Sequence, residues 1–236
     1  MKKLCMFSAL VGITMAFQCS ALTVDVTRVD GYYTYPGGEF NIASVDPSDP
    51  QFLQILGHYA PSAIVNGPNG VGFETFCNSG NTGLQGNPQN ASLIPNNVSL
   101  GGAWLYSQFA SGILAGYDYN PSGAGGIFSS RADAAYALQN ALWSLNGTGD
   151  DDLNTGAYGY DYFMNLAFGM FGNSETNAAN GAYGVEELYL TYTSPNGGQT
   201  VAQPMLAFVP DGGSTVILLG MALTGIGVFT RRFLRA

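Results

Sequence analysis

Charged side chains are scarce in this 236-residue chain, in which only 10% of residues are Asp, Glu, Lys or Arg. The few basic residues are concentrated at the two ends (Lys2, Lys3, Arg231, Arg232 and Arg235). Between Leu22 and Val209 there are fifteen acidic residues but only two basic ones, Arg28 and Arg131. Binding to a phosphate backbone needs clustered cations that displace counterions. Nucleic-acid binding is therefore excluded.

Histidine and cysteine are equally scarce, with one His and three Cys. His58 alone cannot complete a Ser/His/Asp or a Cys/His arrangement, and no phosphate-binding loop or zinc-ligand spacing is present. We expect a non-enzymatic protein. A secreted hydrolase that uses only acidic residues is the alternative from another class. The content of 46% apolar and 13% aromatic residues excludes a disordered chain.

The first 21 residues have the pattern of a secretory signal peptide. Lys2 and Lys3 precede a short apolar run from Leu4 to Phe17, and small residues follow up to Ala21. We expect export and cleavage, so that residues 22–208 form the extracellular domain. Cys5 and Cys19 would be lost with the signal peptide.

The last 28 residues contain a motif, an apolar segment and an arginine cluster, in that order. The motif is Val209, Pro210, Asp211, Gly212 and Gly213, and the uncharged segment runs from Val216 to Thr230. A plain transmembrane anchor is one interpretation, with the arginines on the cytoplasmic side. The stretch also closely resembles the VPDSG variety of PEP-CTERM sorting signal, with Gly212 in place of the usual Ser. The resemblance implies a transmembrane helix, recognition by an exosortase at the membrane, and delivery to the cell surface or an exopolysaccharide matrix.

Residues 22–208 are predicted to form a single β-rich α+β domain with a central helical insertion. Strands are predicted at 23–29 and 71–77, and a hairpin at 185–208. Helices are predicted from Asp49–Pro50 to Leu56 and over 101–115, 131–145 and 161–171. The signals for the 131–145 helix are Ser130 with Asp133 as a capping pair and Gly147 at the end.

Cys77 would be the only thiol left after export, which is unusual in an oxidising compartment. Three explanations are open: a buried inert thiol, an intermolecular disulfide, or a thiol consumed by internal chemistry. Helical spacing places Tyr136, Gln139 and Trp143 on one stripe, so that an uncharged amide lies between two aromatic rings. Spacing alone favours ordinary hydrogen bonds for this amide.

Two segments resemble the paired motifs of bacterial thioester domains, which carry a Cys after a strand and a later T-Q-x-A-I-W helix. They are Phe73–Cys77 and Ala137–Trp143, with Leu138 and Leu142 in place of the family's Thr and Ile. The resemblance implies an internal thioester between Cys77 and Gln139, which an amine or a hydroxyl of a target could open. The aromatic residues Phe76, Tyr136 and Trp143 would exclude water from it.

The absence of lysine from Leu22 onward fits an electrophile that neighbouring amines would otherwise quench. The alternative is that the protein is simply acidic and poor in lysine. The rival to the adhesive interpretation as a whole is a passive structural matrix protein in which Cys77 is buried and free.

An acidic loop follows the predicted 131–145 helix and is similar to a calcium-binding loop. Asp150, Asp152, Asn154 and Asp161 occupy ligand positions, but Thr155 stands where the loop requires glycine. A solvated acidic loop is the alternative. No other cofactor is expected.

Overall fold

A computed structural model describes residues 22–34, 37–80, 83–95, 97–120, 127–148 and 160–209. The predicted signal peptide, the predicted C-terminal helix and three of the four predicted calcium ligands (Asp150, Asp152 and Asn154) lie outside these residues. Within the described part of the chain, no helix is long and apolar enough to cross a bilayer.

The domain contains eight strands and four α-helices in its described part. The strands are β1 (Leu22–Thr34), β2 (Gly37–Ser44), β3 (Ile64–Gly67), β4 (Gly70–Thr75), β5 (Gln89–Ile94), β6 (Val185–Thr193), β7 (Gln199–Val201) and β8 (Met205–Phe208). The helices are α1 (Pro50–Leu56), α2 (Leu100–Ala110), α3 (Arg131–Leu145) and α4 (Tyr160–Phe171). This is a mixed helix and sheet domain, and its three longer helices all lie between β5 and β6, as a central insertion requires.

All strand pairs are antiparallel, in the order β3-β4-β2-β1-β5-β6-β7, and β8 also pairs with β6. An isolated bridge between Cys77 and Met205 joins the residues after β4 to β8. The Leu206 N–H donates to the Phe76 carbonyl in the same region. Strands β4, β2, β1, β5, β6 and β8 therefore form a closed ring, and Cys77 lies at the seam where the ring closes.

The predicted helices are present, with one early end. Helix α3 spans the predicted residues, because the Ser130 hydroxyl caps the Asp133 N–H at its start. Helix α2 ends at Ala110 rather than at residue 115, because Gly112 adopts a positive φ of 72°. The final strand of the predicted hairpin is interrupted between Val201 and Met205, where Pro204 has no N–H to donate.

The interior is rich in aromatic rings that pack between the sheet and the helices. Phe73 of β4 stacks on Tyr59 with ring centroids 4.7 Å apart. Phe76 meets Phe109 of α2 edge to face at 4.9 Å. Helix α3 packs across β1 and β2. The packing of α3 on β1 and β2 determines which face of the helix is turned toward the seam where the ring of strands closes.

Candidate functional site

The carboxamide of Gln139 is held against the backbone of Cys77 by two hydrogen bonds. The Cys77 N–H donates to Gln139 Oε1 at 2.9 Å, and Gln139 Nε2 donates to the Cys77 carbonyl at 2.8 Å. Both residues are buried, with exposed fractions of 1% for Cys77 and 0% for Gln139. Because one backbone group donates and the other accepts, the orientation of the carboxamide is fixed. The two residues that the sequence singled out are thus in direct contact.

The close approach of α3 to β2 depends on Gly37. An ideal Cβ at this position would lie 2.6 Å from Gln139 Cγ and 3.2 Å from Trp143 Cη2. No side chain other than hydrogen fits at this distance. Gly37 therefore lets the Gln139 side chain pass between the helix and the sheet and reach Cys77.

The Cys77 thiol is free and uncharged. No disulfide involves it, and burial raises the pKa of the thiol well above its usual range. A thiol in such a site is inert toward solvent reagents. Chemistry at Cys77 would need a partner that lies inside the protein.

A buried ionic cluster anchors the first turn of α3 to the sheet. Arg131 binds Glu39 of β2 through two nitrogens at 2.9 Å each and Glu74 of β4 through Nη2 at 2.5 Å. The Tyr117 hydroxyl also donates to Glu39. The Arg131 guanidinium lies 4.3 Å from the centroid of the Tyr32 ring.

One basic and two acidic side chains share this cluster, so their charges cannot balance if all three are ionised. Burial raises the pKa of Glu74 to about 9, and the neighbouring Glu39 carboxylate acts in the same direction. Glu74 is therefore protonated at neutral pH. No sequence pattern predicted this cluster. Its one available signal was that Arg131 is one of only two basic residues between Leu22 and Val209.

An amide network anchors the other end of α3. Asn146 Nδ2 donates to Asn78 Oδ1 at 2.6 Å, and Asn78 Nδ2 donates to Glu187 Oε2 at 2.5 Å. The Ser99 N–H donates to Asn146 Oδ1 at 2.8 Å. Asn78 directly follows Cys77, so this network holds both the cysteine segment and the end of the helix. Gln139 lies between two fixed ends of α3.

The three predicted shielding residues are buried in different ways. Trp143 is 4% exposed and lies beside Gln139 at Gly37, and no described residue forms a hydrogen bond with its indole N–H. Phe76 is fully buried against Tyr106 and Phe109 of α2. Tyr136 is 9% exposed.

Of the remaining predicted residues, only His58, Asp161 and Val209 belong to the described part of the chain. His58 is half-buried after α1, and Asp161 is exposed on α4. Among described residues, no group of three or more His, Cys, Asp or Glu side chains could hold a metal ion. Val209, the first residue of the predicted sorting motif, donates its N–H to the Gly184 carbonyl at 2.5 Å.

Comparison with known protein families identifies a VPDSG-CTERM motif at residues 209–233. The match coincides with the predicted sorting signal and supports a PEP-CTERM-type signal at this end of the chain. The motif indicates an exported protein that an exosortase-type enzyme processes and directs to the cell envelope or surface. No curated protein and no solved structure shows significant similarity to the chain.

Proposed function

We propose that this exosortase-sorted protein is a covalent adhesin of the cell surface or extracellular matrix, with an internal thioester between Cys77 and Gln139. The observation that carries the proposal is the pair of hydrogen bonds between the Gln139 carboxamide and the Cys77 backbone. The thiol sulfur is only three bonds away from that backbone N–H. Nucleophile and acyl group are therefore neighbours in the unreacted chain.

Thioester formation is an exchange at the carboxamide carbon. The Cys77 sulfur bonds to Cδ of Gln139, the Cδ–Nε2 bond breaks, and the thiol proton leaves with the nitrogen as ammonia. No oxidant, metal or cofactor is needed. Burial raises the pKa of the Cys77 thiol, so the thiol does not ionise before it reacts. The proton therefore leaves the sulfur while the carbon–sulfur bond forms.

The backbone contacts also suit the geometry of this exchange. Attack at Cδ places negative charge on Oε1, where the Cys77 N–H already donates a hydrogen bond. The second hydrogen bond, from Nε2 to the Cys77 carbonyl, orients the leaving nitrogen. The anchored ends of α3 keep these groups in place without rearrangement.

Attachment would follow when a target amine or hydroxyl reaches the thioester. The target atom bonds to Cδ of Gln139, the C–S bond breaks, and the proton of the target restores the Cys77 thiol. Each domain reacts once, so no enzymatic turnover is involved. A domain without lysine presents no side-chain amine that would consume the thioester within the same chain or a neighbouring copy.

A passive structural protein is the second candidate, and one observation favours it. Both polar ends of the Gln139 carboxamide are already hydrogen bonded, so burial of this side chain needs no further explanation. In that case Cys77 remains a buried, unreactive thiol, and the protein serves its surface or matrix role by folding alone.

Labelling with a fluorescent primary amine separates the two candidates. The purified exported protein is incubated with the amine and digested, and the labelled peptide is mapped by mass spectrometry. If the protein is a thioester adhesin, the label is expected on Gln139 and on no other glutamine. Opening of the thioester should also release one free thiol per chain, at Cys77. The Cys77→Ala and Gln139→Ala variants serve as matched controls and should remain unlabelled. An unlabelled wild-type protein, or equal labelling of Cys77→Ala, would favour the passive candidate.

A further inference from the structure

A small cavity on the outer part of the sheet has unpaired polar groups in its wall. It has a volume of about 240 Å³ and lies between a bulge of β1 and the turn that joins β3 to β4. Its lining includes Thr27, Arg28, Asp30, Tyr32, Asn41 and Asn66. The cavity is at the start of β4, whereas Cys77 follows the end of that strand.

Asn41 is the central feature of the cavity. This residue of β2 is 1% exposed, yet neither its Oδ1 nor its Nδ2 has a hydrogen-bond partner among the described residues. Thr27, its cross-strand neighbour on β1, has an unpaired buried hydroxyl as well. Unpaired buried amides and hydroxyls are costly and rare in folded proteins. Two of them side by side in one cavity wall point to a ligand that completes their hydrogen bonds.

The Asn41 amide lies directly against the backbone at Gly67 and Gly72, two positions that leave no room for a side chain. An ideal Cβ at Gly67 would lie 2.3 Å from Asn41 Nδ2, and one at Gly72 would lie 2.1 Å from Asn41 Oδ1. On the opposite rim, the β1–β2 ladder is interrupted between Arg28 and Tyr33, and Gly31 has a φ of 82°. Such bulges occur preferentially beside functional sites.

The chemistry of the lining selects a neutral ligand rich in hydroxyl groups. The Asn41 carboxamide requires both a donor and an acceptor, and a hydroxyl group supplies each. The rim carries one cation and one anion, Arg28 and Asp30, so it favours no net charge on the ligand. Tyr32 adds an aromatic ring to the lining, and the Arg131 guanidinium lies 4.3 Å from the centroid of this ring. Sugars combine hydroxyl edges with an apolar C–H face that packs on such a ring.

We propose that this cavity binds one neutral pyranose unit of a glycan. The volume of about 240 Å³ falls below the roughly 300 Å³ at which pockets for drug-sized ligands begin, so a single ring suits it better than a longer glycan segment. The site is independent of the thioester and gives the protein a reversible, non-covalent means of contacting a polysaccharide.

Nuclear magnetic resonance titration of the purified protein tests this site. The probes are the methyl glycosides of glucose, galactose, mannose and N-acetylglucosamine, with glucuronate as the charged comparison. Concentrations up to about 50 mM suit a small ring with few hydrogen bonds, which binds with a Kd near 1 mM. We expect saturable shifts of the Asn41 side-chain amide with at least one neutral glycoside.

Three variants locate the binding. Asn41→Ala should weaken it by about tenfold or more, since two hydrogen bonds are lost. Thr27→Val keeps the shape of the side chain and the fold, and should weaken binding by about threefold or more. Asn90→Ala changes an exposed asparagine of the same type in another cavity and should leave the Kd unchanged.

The Cys77→Ala variant should bind the glycoside as the wild type does, so the outcome does not depend on the thioester. The proposal is overturned if no neutral glycoside binds and the cavity holds only water. Undiminished binding by Thr27→Val, or preferential binding of glucuronate, would overturn it equally.

Discussion

Replacement of Gly37 by alanine should disrupt the contact between α3 and the closing seam of the sheet. The added methyl group would lie 2.6 Å from Gln139 Cγ, 3.2 Å from Trp143 Cη2 and 3.3 Å from Gln139 Cβ. Gln139 cannot move away freely, because its backbone is part of α3 and its carboxamide is bound to Cys77 at two points. Either the helix shifts or the two hydrogen bonds break.

The expected cost follows from overpacking of a buried contact, which is typically about 1–3 kcal/mol. For a domain of this size, such a loss lowers the Tm by roughly 2–12 °C. The backbone does not contribute strain of its own, because Gly37 is not among the glycines with positive φ. The loss therefore comes from the side-chain contact, after allowance for the restriction of the unfolded chain that every Gly→Ala change brings.

Thermal unfolding of the purified variant measures this cost, and Gly83→Ala is the matched control. An ideal Cβ at Gly83 meets no atom of a described residue within 4 Å, and this glycine also lacks a positive φ. Its replacement should change the free energy of unfolding by no more than about 0.5 kcal/mol, or stabilise the protein slightly. Equal Tm values for the two variants would refute the placement of Gln139 between α3 and β2.

Two further predictions concern the anchors of α3. The folded-state pKa of Glu74 is raised to about 9 from an ordinary value of 4.5, so its contribution to stability is complete below pH 4.5 and is lost as the pH rises toward 9. The free energy of unfolding should thus fall by up to about 1.4 kcal/mol per pH unit in this window. In denaturant titrations at a series of pH values, Glu74→Gln should lose this decline of the unfolding free energy with pH. The exposed control Asp30→Asn should keep it. A decline that persists in Glu74→Gln would show that Glu74 is not the group responsible. Asn146→Ala removes the hydrogen-bond partner of Asn78 and of the Ser99 N–H, and it should lower the free energy of unfolding in urea by about 1–3 kcal/mol. Asn90→Ala is the exposed control. An equal loss in the two variants would show that the amide network does not hold the end of α3.

The parts of the fold that depend on local sequence were predictable. Helix α3 begins at Arg131 and ends at Leu145 because the capping hydroxyl of Ser130 and the residues of the helix are neighbours in the chain. Strands β1, β4 and β6 and helices α1 and α4 follow in the same way from periodicity and turn residues, whereas β2, β3 and β5 were not predicted. Helix α2 ends early because Gly112 has a positive φ. The sequence did not predict this end, because apolar residues at helical spacing continue beyond Gly112 to Ile113.

Contacts between distant segments could be predicted only in part. The pairing of Cys77 with Gln139, 62 positions later, was an expectation from family resemblance, and the structure brings the two into hydrogen-bond contact. Periodicity alone gave no reason to prefer Cys77 among the buried partners of α3. The Arg131 cluster was not predicted, because Glu39 and Glu74 lie on strands far from Arg131 in the sequence.

The sequence also did not predict that the sheet closes into a ring or that the Asn41 amide lies unpaired between Gly67 and Gly72. The bridge between Cys77 and Met205 depends on the interruption before β8, which periodicity does not register. Asn41 alternates with buried apolar residues on β2, but no sequence pattern shows that its amide lacks a partner. Both features depend on how non-neighbouring strands are placed.

The intact mass of the purified exported protein tests the thioester most directly. The wild-type mass is compared with those of Cys77→Ala and Gln139→Ala, each corrected for its own substitution. With the thioester, the wild type alone is lighter than its sequence mass by one ammonia molecule, and methylamine treatment adds one methylamine to it. A wild-type protein at its full sequence mass, unchanged by methylamine, would show that no thioester forms and that Cys77 is a buried free thiol.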